Sequence, residues 1–246
     1  MATKRDFFLF WATLVALAAA GCATGVSNPQ DPPVQTAEGP TGTPPEKKSP
    51  DEYWVLLETS KGNVVIEVHR DWSPYGADRF YELVQSGYYN GCRAFRVISG
   101  FMAQMGIAAD PNDTAKWKQK HIPDDHPASP QTNARGYVSF AKTRVPNSRT
   151  TQFFINTHKN AQLDAMGFTP FGQVLSGMEA IDEFYSGYKE GPGGPRQDRI
   201  EAHGNIYLDE EYPKLDSIKK ATVLSNKPDV SKPPEPSKKP EPPKKP

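Results

Sequence analysis

The sequence has few cysteines and no excess of charge of either sign. Its 246 residues contain 2 Cys, and its 29 basic and 29 acidic residues give a formal net charge of +0. Because nucleic acid attracts proteins with a strongly basic face, this balance gives no electrostatic reason to expect a nucleic-acid-binding protein. With so few cysteines, a disulfide framework is not expected to hold the fold, and we interpret Cys92 as a small packing residue.

A long apolar run is also missing. The most apolar stretch, Phe7–Ala20, follows Lys4 and Arg5 and ends in the small residues "AAAGC". Because it is shorter than the ~20 residues that span a bilayer, it favours an export signal over residues 1–21 rather than a membrane helix. Its ending resembles the lipobox of bacterial lipoproteins, in which the Cys, here Cys22, is lipidated. Ordinary cleavage after an A-x-A site and a retained anchor are the alternatives.

The residue after Cys22 bears on the expected location. Lipoproteins that stay at the inner membrane typically carry Asp there, whereas this chain has Ala23. The resemblance therefore implies a protein of the bacterial cell envelope that is lipid-anchored in the outer membrane and faces the periplasm.

Large apolar residues are scarce at both ends of the chain. Residues 22–50 are rich in Pro, Thr and Gly, and residues 226–246 are rich in Pro and Lys. Such compositions cannot bury enough surface to offset the entropy of ordering, so we predict a flexible tether and a disordered tail. The tail is either solvated or a contact for the cell wall or another anionic surface. Residues 51–225 remain, which is enough for one well-buried domain.

Within this domain, short strand patterns outnumber helix patterns. The segment "YWVLLETSKGNVVIEVH" predicts two strands around the turn at residues 61–63. The segment "SPYGADRFYELVQSGYY" predicts a helix with Ser73 as its N-cap and a buried face. That face consists of Phe80, Leu83 and Val84.

The rest of the domain continues the same alternation. A second helix fits "GMEAIDEFYSG". Many short strands with only two main helices favour a closed β-barrel with helices over its open ends. The further strands are predicted at Arg96–Ile98, Phe101–Gln104, Tyr137–Ala141, Phe153–Thr157, Phe171–Val174 and "KKATVLS".

One stretch, "AFRVISGFMAQMG", is almost wholly apolar and yet contains Arg96 and Gln104. Alternate residues of an extended chain share a face, and a bulge at residues 99–100 would turn Phe101 toward the face of Arg96. An isolated Arg on such a strand is most simply a solvated residue, but the combination predicts an outer pocket of Arg, Phe, Met and Gln. The face of Arg96 holds Ile98, Met102 and Gln104, and the opposite, inward face holds Phe95, Val97, Ala103 and Met105.

The whole string resembles the signature of the cyclophilins. Further elements follow in the family's order: "GYVSFA", "TQFFIN", "LD" and "GFTPFGQVLSGMEAID". The similarity runs from about Trp54 to Ser225. It implies a mainly β fold, an eight-stranded antiparallel barrel capped by two α-helices, and the activity of a peptidyl-prolyl cis-trans isomerase. It also implies proline-containing polypeptides as substrates, no cofactor or metal, and a monomer.

The resemblance assigns roles to particular side chains. It implies that Arg96 and Gln104 are catalytic, Arg96 by stabilising the twisted imide. The substrate-binding residues that it implies are Phe101, Met102, Ala141, Gln152, Phe154, Leu163 and Phe168.

Four positions depart from the family's pattern. Phe95 stands where His is common in the family, and Lys142 stands where Asn is common. Phe168 falls near the position at which the family has a His at the rim of the pocket. Gln162 replaces the Trp that contacts cyclosporin, which implies weak cyclosporin binding. These departures keep open a catalytically weak module that binds Pro-containing peptides or acts as a chaperone on the same barrel. A structural envelope protein that acts through its tail is a third reading.

The histidines offer little sign of a metal site. His121 and His126 flank "IPDD", a spacing that is compatible with a metal but lacks a helical pattern to hold the ligands. We therefore interpret this segment as a solvated loop.

Overall fold

The structure, a computed structural model, describes residues 39–128, 130–188 and 190–229. The predicted export signal, Cys22, most of the tether and most of the tail lie outside the described residues. In the described part, none of the helices combines the length and the apolar character needed to cross a membrane. The described residues cover the whole predicted domain except Ser129 and Lys189.

Eight strands form one antiparallel sheet in the order β3-β4-β6-β5-β7-β2-β1-β8. The sheet curls until the residues before its two edge strands meet at the Arg93–Ser217 bridge, where the Ala94 amide donates to the Asp216 carbonyl over 2.9 Å. Pairing of β3 with β8 does not extend further among the described residues, so a closed barrel stays a prediction. The strands are β1 Glu52–Thr59, β2 Asn63–His69, β3 Arg96–Ile98, β4 Met102–Met105, β5 Tyr137–Phe140, β6 Phe153–Asn156, β7 Pro170–Ser176 and β8 Ile218–Leu224.

Every predicted strand corresponds to an observed strand, with bounds that differ by a residue or two. Strand β4, for example, begins at Met102 rather than Phe101. Phe101 belongs to the turn instead, because its amide donates to the Ile98 carbonyl over 3.0 Å and closes the hairpin between β3 and β4.

Both predicted helices are present, but their number was wrong, because the described residues form four α-helices. The longest was missed: it contains Gly204 at φ 58°, where the helix is kinked, and Ile206 is 71% exposed. Such a helix lacks the regular apolar stripe that identifies helices in a sequence. The helices are α1 Pro74–Gln85, α2 Pro111–Trp117, α3 Met178–Asp182 and α4 Gln197–Glu211.

Helix α1 begins after Ser73 as predicted, but the cap comes from elsewhere. The Ser73 side chain makes no capping hydrogen bond and donates instead to the Asp125 carboxylate. Asp125 accepts hydrogen bonds from the Tyr75 amide at 2.9 Å and the Gly76 amide at 3.0 Å. Arg149 pairs with the same carboxylate over 2.8 Å. The "IPDD" segment thus has a structural role, because its second carboxylate satisfies the free amides of the first helical turn.

The main core lies on the inner face of the sheet, against α1. Its largest side chains are fully buried aromatic rings, among them Phe80 of α1, which meets Phe153 edge-on at 5.3 Å between ring centroids. The predicted buried face of α1 is confirmed, since Phe80, Leu83 and Val84 all belong to this core. Cys92 also lies there, and burial raises the pKa of its thiol, as suits a packing residue.

Residues before the predicted domain boundary also pack on the domain. The Ser49 amide donates to Asp78 over 2.9 Å, and the Glu46 amide donates to Glu82 over 3.0 Å, both on α1. Ser49 is buried. The packed part of the chain therefore includes residues that were assigned to the tether by composition.

Candidate active site

The outer face of three neighbouring strands brings together two polar residues and one aromatic residue of the predicted site. In the register of the sheet, Arg96 of β3 lies opposite Gln104 of β4, and Gln104 lies opposite Phe154 of β6. Residues paired across antiparallel strands project to the same side. The three side chains consequently form a row across the sheet, on the side away from the main core.

Beside this row lies an apolar slot. Three of its side chains are buried and four more are partly exposed, and they form a cluster separate from the main core. The Phe154 and Phe168 rings meet edge-on, with centroids 5.7 Å apart. Every apolar residue that was predicted for the site lies in this cluster, and Ile98 is an addition. The members are Met102, Phe154 and Leu163, with Ile98, Phe101, Ala141 and Phe168 packed against them.

The Arg96 guanidinium lies at the edge of the slot. Its Nη1 donates to the Gln104 Oε1 atom over 3.1 Å and lies 4.0 Å from the Met102 sulfur. Its central carbon is 5.9 Å from the centroid of the Phe101 ring. A charged group is therefore held beside an apolar surface, where a bound molecule would exclude water and strengthen any contact with that charge.

A chain of amide side chains extends from the arginine. Gln104 Nε2 donates to Gln152 Oε1 over 2.9 Å, and Gln152 Nε2 donates to Gln197 Oε1 over 3.2 Å. Gln197 is the first residue of α4. These hydrogen bonds fix the orientation of both predicted glutamines.

The other edge of the guanidinium is occupied. Arg96 Nε donates to Glu190 Oε1 over 2.8 Å, and Nη2 bonds to the same oxygen. Neither Glu190 nor Gln197 was identified from the sequence. No local signal could have found Glu190, because it lies 94 residues from Arg96.

A buried network of asparagines supports the slot from behind. Asn160 Nδ2 donates to the Phe101 carbonyl over 2.8 Å and to the Asn156 side chain over 2.7 Å. Asn133 Nδ2 donates to the Phe168 carbonyl and to Asp164, each over 2.8 Å. Because buried polar groups with complete partners hold one geometry, this network fixes the two aromatic residues at the rim of the slot. Asn133 and Asn160 were not identified from the sequence.

The positions that depart from the family's pattern are accounted for locally. Phe95 is buried, but it packs in a second cluster with Ile200 and Leu208 of α4 rather than in the main core. Its expected inward position is therefore corrected, because α4 covers this end of the sheet. Lys142 Nζ lies 3.4 Å from the Asp124 carboxylate, and Gln162 is exposed.

One group of three potential metal ligands occurs among the described residues, and it lies away from the slot. It consists of Glu52, Glu67 and His69, and neither His121 nor His126 belongs to it. Lys227 Nζ lies 3.0 Å from a Glu67 oxygen and supplies the positive charge there.

Comparison with known proteins bears on this site. The family model "Cyclophilin type peptidyl-prolyl cis-trans isomerase/CLD" matches residues 54–205. "Peptidyl-prolyl cis-trans isomerase-like 3" of Mus musculus is 40% identical over 134 residues, which cover 52% of this chain and 80% of the relative. "Peptidyl-prolyl cis-trans isomerase A" of Dickeya dadantii is 39% identical over 135 residues, which cover 52% of this chain and 69% of the relative.

Solved structures agree with the fold. A cyclophilin type peptidyl-prolyl cis-trans isomerase of Cryptosporidium parvum matches with a TM-score of 0.54 at 23% identity, over 72% of this chain and 99% of that one. The same protein crystallised in the presence of the dipeptide Ala-Pro matches with a TM-score of 0.50 at 24% identity, over 70% of this chain and 99% of that one. The slot, the guanidinium and the row of amides thus lie in a fold shared with these proteins.

Proposed function

The chain belongs to the cyclophilin-type peptidyl-prolyl cis-trans isomerase family, and on that premise we propose that Arg96 and the adjacent slot catalyse X-Pro rotation in proteins of the bacterial envelope. The observation that carries the proposal is the contact of Arg96 Nη1 with Gln104 at 3.1 Å, at the edge of the apolar cluster. This arrangement combines a fixed charge with an adjacent apolar surface, the two features that the proposed reaction uses.

The reaction requires stabilisation of a twisted bond. Rotation about X-Pro faces a barrier of ~18–20 kcal/mol because amide resonance is lost, and uncatalysed exchange takes tens to hundreds of seconds. No covalent bond is exchanged, so the reaction needs neither a nucleophile nor a cofactor. As the bond twists, the prolyl nitrogen pyramidalises and its lone pair becomes localised. A guanidinium that faces this nitrogen stabilises the twisted state more than either planar state.

The remaining residues position the peptide. The Phe101, Met102, Phe154 and Leu163 side chains hold the proline ring and exclude water, which strengthens the contact with Arg96. Phe168 closes the rim of the slot and Ala141 lines the neighbouring subsite. Gln104 and Gln152 are linked to each other over 2.9 Å, and each binds the peptide backbone with the one amide N–H that its hydrogen bonds leave over.

Rate measurements on a short peptide test the activity. Addition of the purified chain to an Ala-Ala-Pro-Phe peptide should accelerate cis/trans exchange, measured by NMR line shapes or by a protease-coupled assay. The alternative function, a module that binds Pro-containing peptides, is favoured by Lys142 and Gln162, which depart from the family's pattern. Saturable binding of the peptide without acceleration would establish that alternative and overturn the catalytic one.

The location in the envelope belongs to the same proposal. Its support is the sequence of the first residues, in which the apolar run ends in "AAAGC" and places Cys22 at a lipobox-like position. Expression in a bacterium with labelled palmitate should mark the wild-type protein and leave Cys22→Ala unmarked. Equal labelling of both proteins, or of neither, would contradict lipidation at Cys22.

A further inference from the structure

The carboxylate of Glu190 lies at the mouth of the slot, against the guanidinium. Arg96 donates to it from Nε over 2.8 Å and also from Nη2, while Nη1 is directed toward Gln104 and the slot. Arg96 is the one basic side chain paired with Glu190 among the described residues. The acidic group is thus placed where it meets any peptide that contacts the arginine.

Three tyrosines hold the segment that carries Glu190. On one side, the Tyr188 hydroxyl accepts a hydrogen bond from the Lys214 amide over 3.2 Å, and the Tyr188 ring meets Tyr212 at 5.0 Å between centroids. On the other side, the Tyr212 hydroxyl donates to the Gly194 carbonyl over 3.0 Å. The Tyr207 hydroxyl accepts from the Arg196 amide over 3.2 Å.

All three tyrosines pack in or against the second apolar cluster. Tyr207 is buried there beside Phe95, which precedes Arg96 in the chain. The segment with Glu190 and the strand with Arg96 are therefore tied to one another through shared packing. The position of the carboxylate follows from this packing and from the hydrogen bonds on both of its sides, rather than from the ion pair alone.

The ion pair itself is exchangeable. The Arg96 and Glu190 side chains are 27% and 40% exposed, and ion pairs of such exposure contribute little net stability. A peptide carbonyl can thus take the place of the carboxylate on the guanidinium at small cost. The displaced Glu190 then stays at the mouth of the slot without the guanidinium as its partner.

We propose, on the basis of the isomerase function proposed above, that Glu190 determines specificity by favouring Lys or Arg next to the substrate proline and disfavouring Asp or Glu there. A cation on the peptide restores the partner that Glu190 loses when substrate binds. An acidic residue at the same place is repelled by Glu190 and competes with it for Arg96. Glu190 selects among substrates in this way and takes no part in the bond rotation itself.

Matched peptides test this selectivity. We compare kcat/KM for Ala-Lys-Pro-Phe, Ala-Ala-Pro-Phe and Ala-Glu-Pro-Phe, and for a second set with the charged residue directly after proline. In at least one set the wild-type protein should prefer the Lys peptide over the Glu peptide by about three- to tenfold at low salt, as expected for partly exposed charges. Raising the ionic strength to about 0.5 M should reduce this ratio, because salt screens such charges.

Variants at position 190 supply the decisive comparison. Glu190→Gln should bring the Lys/Glu ratio close to one, and Glu190→Lys should invert it. Asp209→Asn is the matched control, because Asp209 of α4 forms another exposed ion pair with Arg93, at 56% and 25% exposure. The control should keep the wild-type ratio.

The outcomes separate this inference from the proposed activity. If the wild-type chain accelerates no peptide, the proposed isomerase function fails. If it accelerates all of them but the ratio is the same in wild type, Glu190→Gln and Glu190→Lys, only the specificity role is overturned. If the Lys/Glu ratio fell as far in Asp209→Asn as in Glu190→Gln, the specificity role would also be overturned, since the effect would then reflect the total charge of the molecule.

Discussion

The two faces of strands β4 and β6 differ in what their side chains contact. Phe153 points inward and is fully buried. Its ring meets Phe80 and Tyr89 edge-on, with centroids 5.3 and 5.0 Å apart. Its neighbour Phe154 points outward and packs in the slot, whose four partly exposed members leave it open to solvent. Successive residues of one strand therefore lie in different environments, the inner ones in the core and the outer ones at the slot where we propose that substrate binds.

The difference arises from what covers each face. Helix α1 lies over the inner face and supplies Phe80, Leu83 and Val84 to the core. The outer face carries Arg96, Gln104 and the apolar slot instead, and Asn133 and Asn160 hold the rim of the slot from behind. A covered face has its partners within the chain, whereas the open face can take a partner from outside. Substitutions at neighbouring positions should separate these two effects.

The largest effect is expected on the inner face. Phe153→Ala should lower the free energy of unfolding by about 3–5 kcal/mol, because it removes a buried ring and leaves a cavity. Denaturant unfolding measures this loss. The kcat/KM of the molecules that stay folded should change by no more than a few fold, and a large loss of activity at unchanged stability would contradict the division between faces.

Arg96→Ala should have the next largest effect, on activity alone. We expect kcat/KM to fall by about 10²–10³, which corresponds to ~2.7–4 kcal/mol and is typical for loss of one preorganised donor. The free energy of unfolding should change by less than about 1 kcal/mol, because the Arg96 ion pair is exposed. Arg96→Lys is the matched variant: it keeps the charge and loses the planar fork of donors. Unchanged exchange kinetics in Arg96→Ala would refute its catalytic role.

Phe154→Ala should show the opposite balance to Phe153→Ala. Loss of the ring removes part of the wall that we propose to hold proline, so kcat/KM should fall by about 10- to 100-fold, which corresponds to the ~1.5–3 kcal/mol gained by burying such a side chain. Its unfolding free energy should fall less than that of Phe153→Ala, because part of its environment is the open slot. If the two variants lost the same stability and the same activity, the faces would not differ in purpose.

The smallest effect is expected at Glu67, on the outer face of β2, where polar groups are satisfied within the chain. Burial raises the pKa of Glu67, but hydrogen bonds from Lys227, Gln173 and Trp54 outweigh it and lower the pKa from 4.5 to about 2. Because the folded pKa is lowered, the stabilisation is complete above pH 4.5 and disappears as the pH falls toward 2.

The Glu67→Gln variant tests that expectation. At pH 7 it should lower the free energy of unfolding by about 1–2 kcal/mol, and the difference from wild type should shrink between pH 4.5 and 2. Unfolding curves across this range measure it, and kcat/KM should stay unchanged because Glu67 is not in the slot. A difference in stability that is independent of pH would contradict the role of the ionised carboxylate.

The local pattern of the chain allowed much of the fold and the pocket to be predicted. The alternation of side chains along a strand depends only on backbone geometry, so the shared face of Arg96, Met102 and Gln104 could be derived from "FRVISGFMAQMG". The resemblance to the cyclophilins then related distant segments to one another, which added Phe154 and Leu163 to the same pocket.

Contacts between distant segments were decided by the tertiary structure alone. The pairing of Arg96 with Glu190 depends on the path of the chain through Tyr188 and α4. The cap of α1 depends on Asp125, which accepts a hydrogen bond from the Tyr75 amide, 50 residues away in the sequence. Periodicity acts over a few residues and carries no information about which loops meet. An exposed ion pair also contributes too little free energy to impose a pattern on the sequence around it.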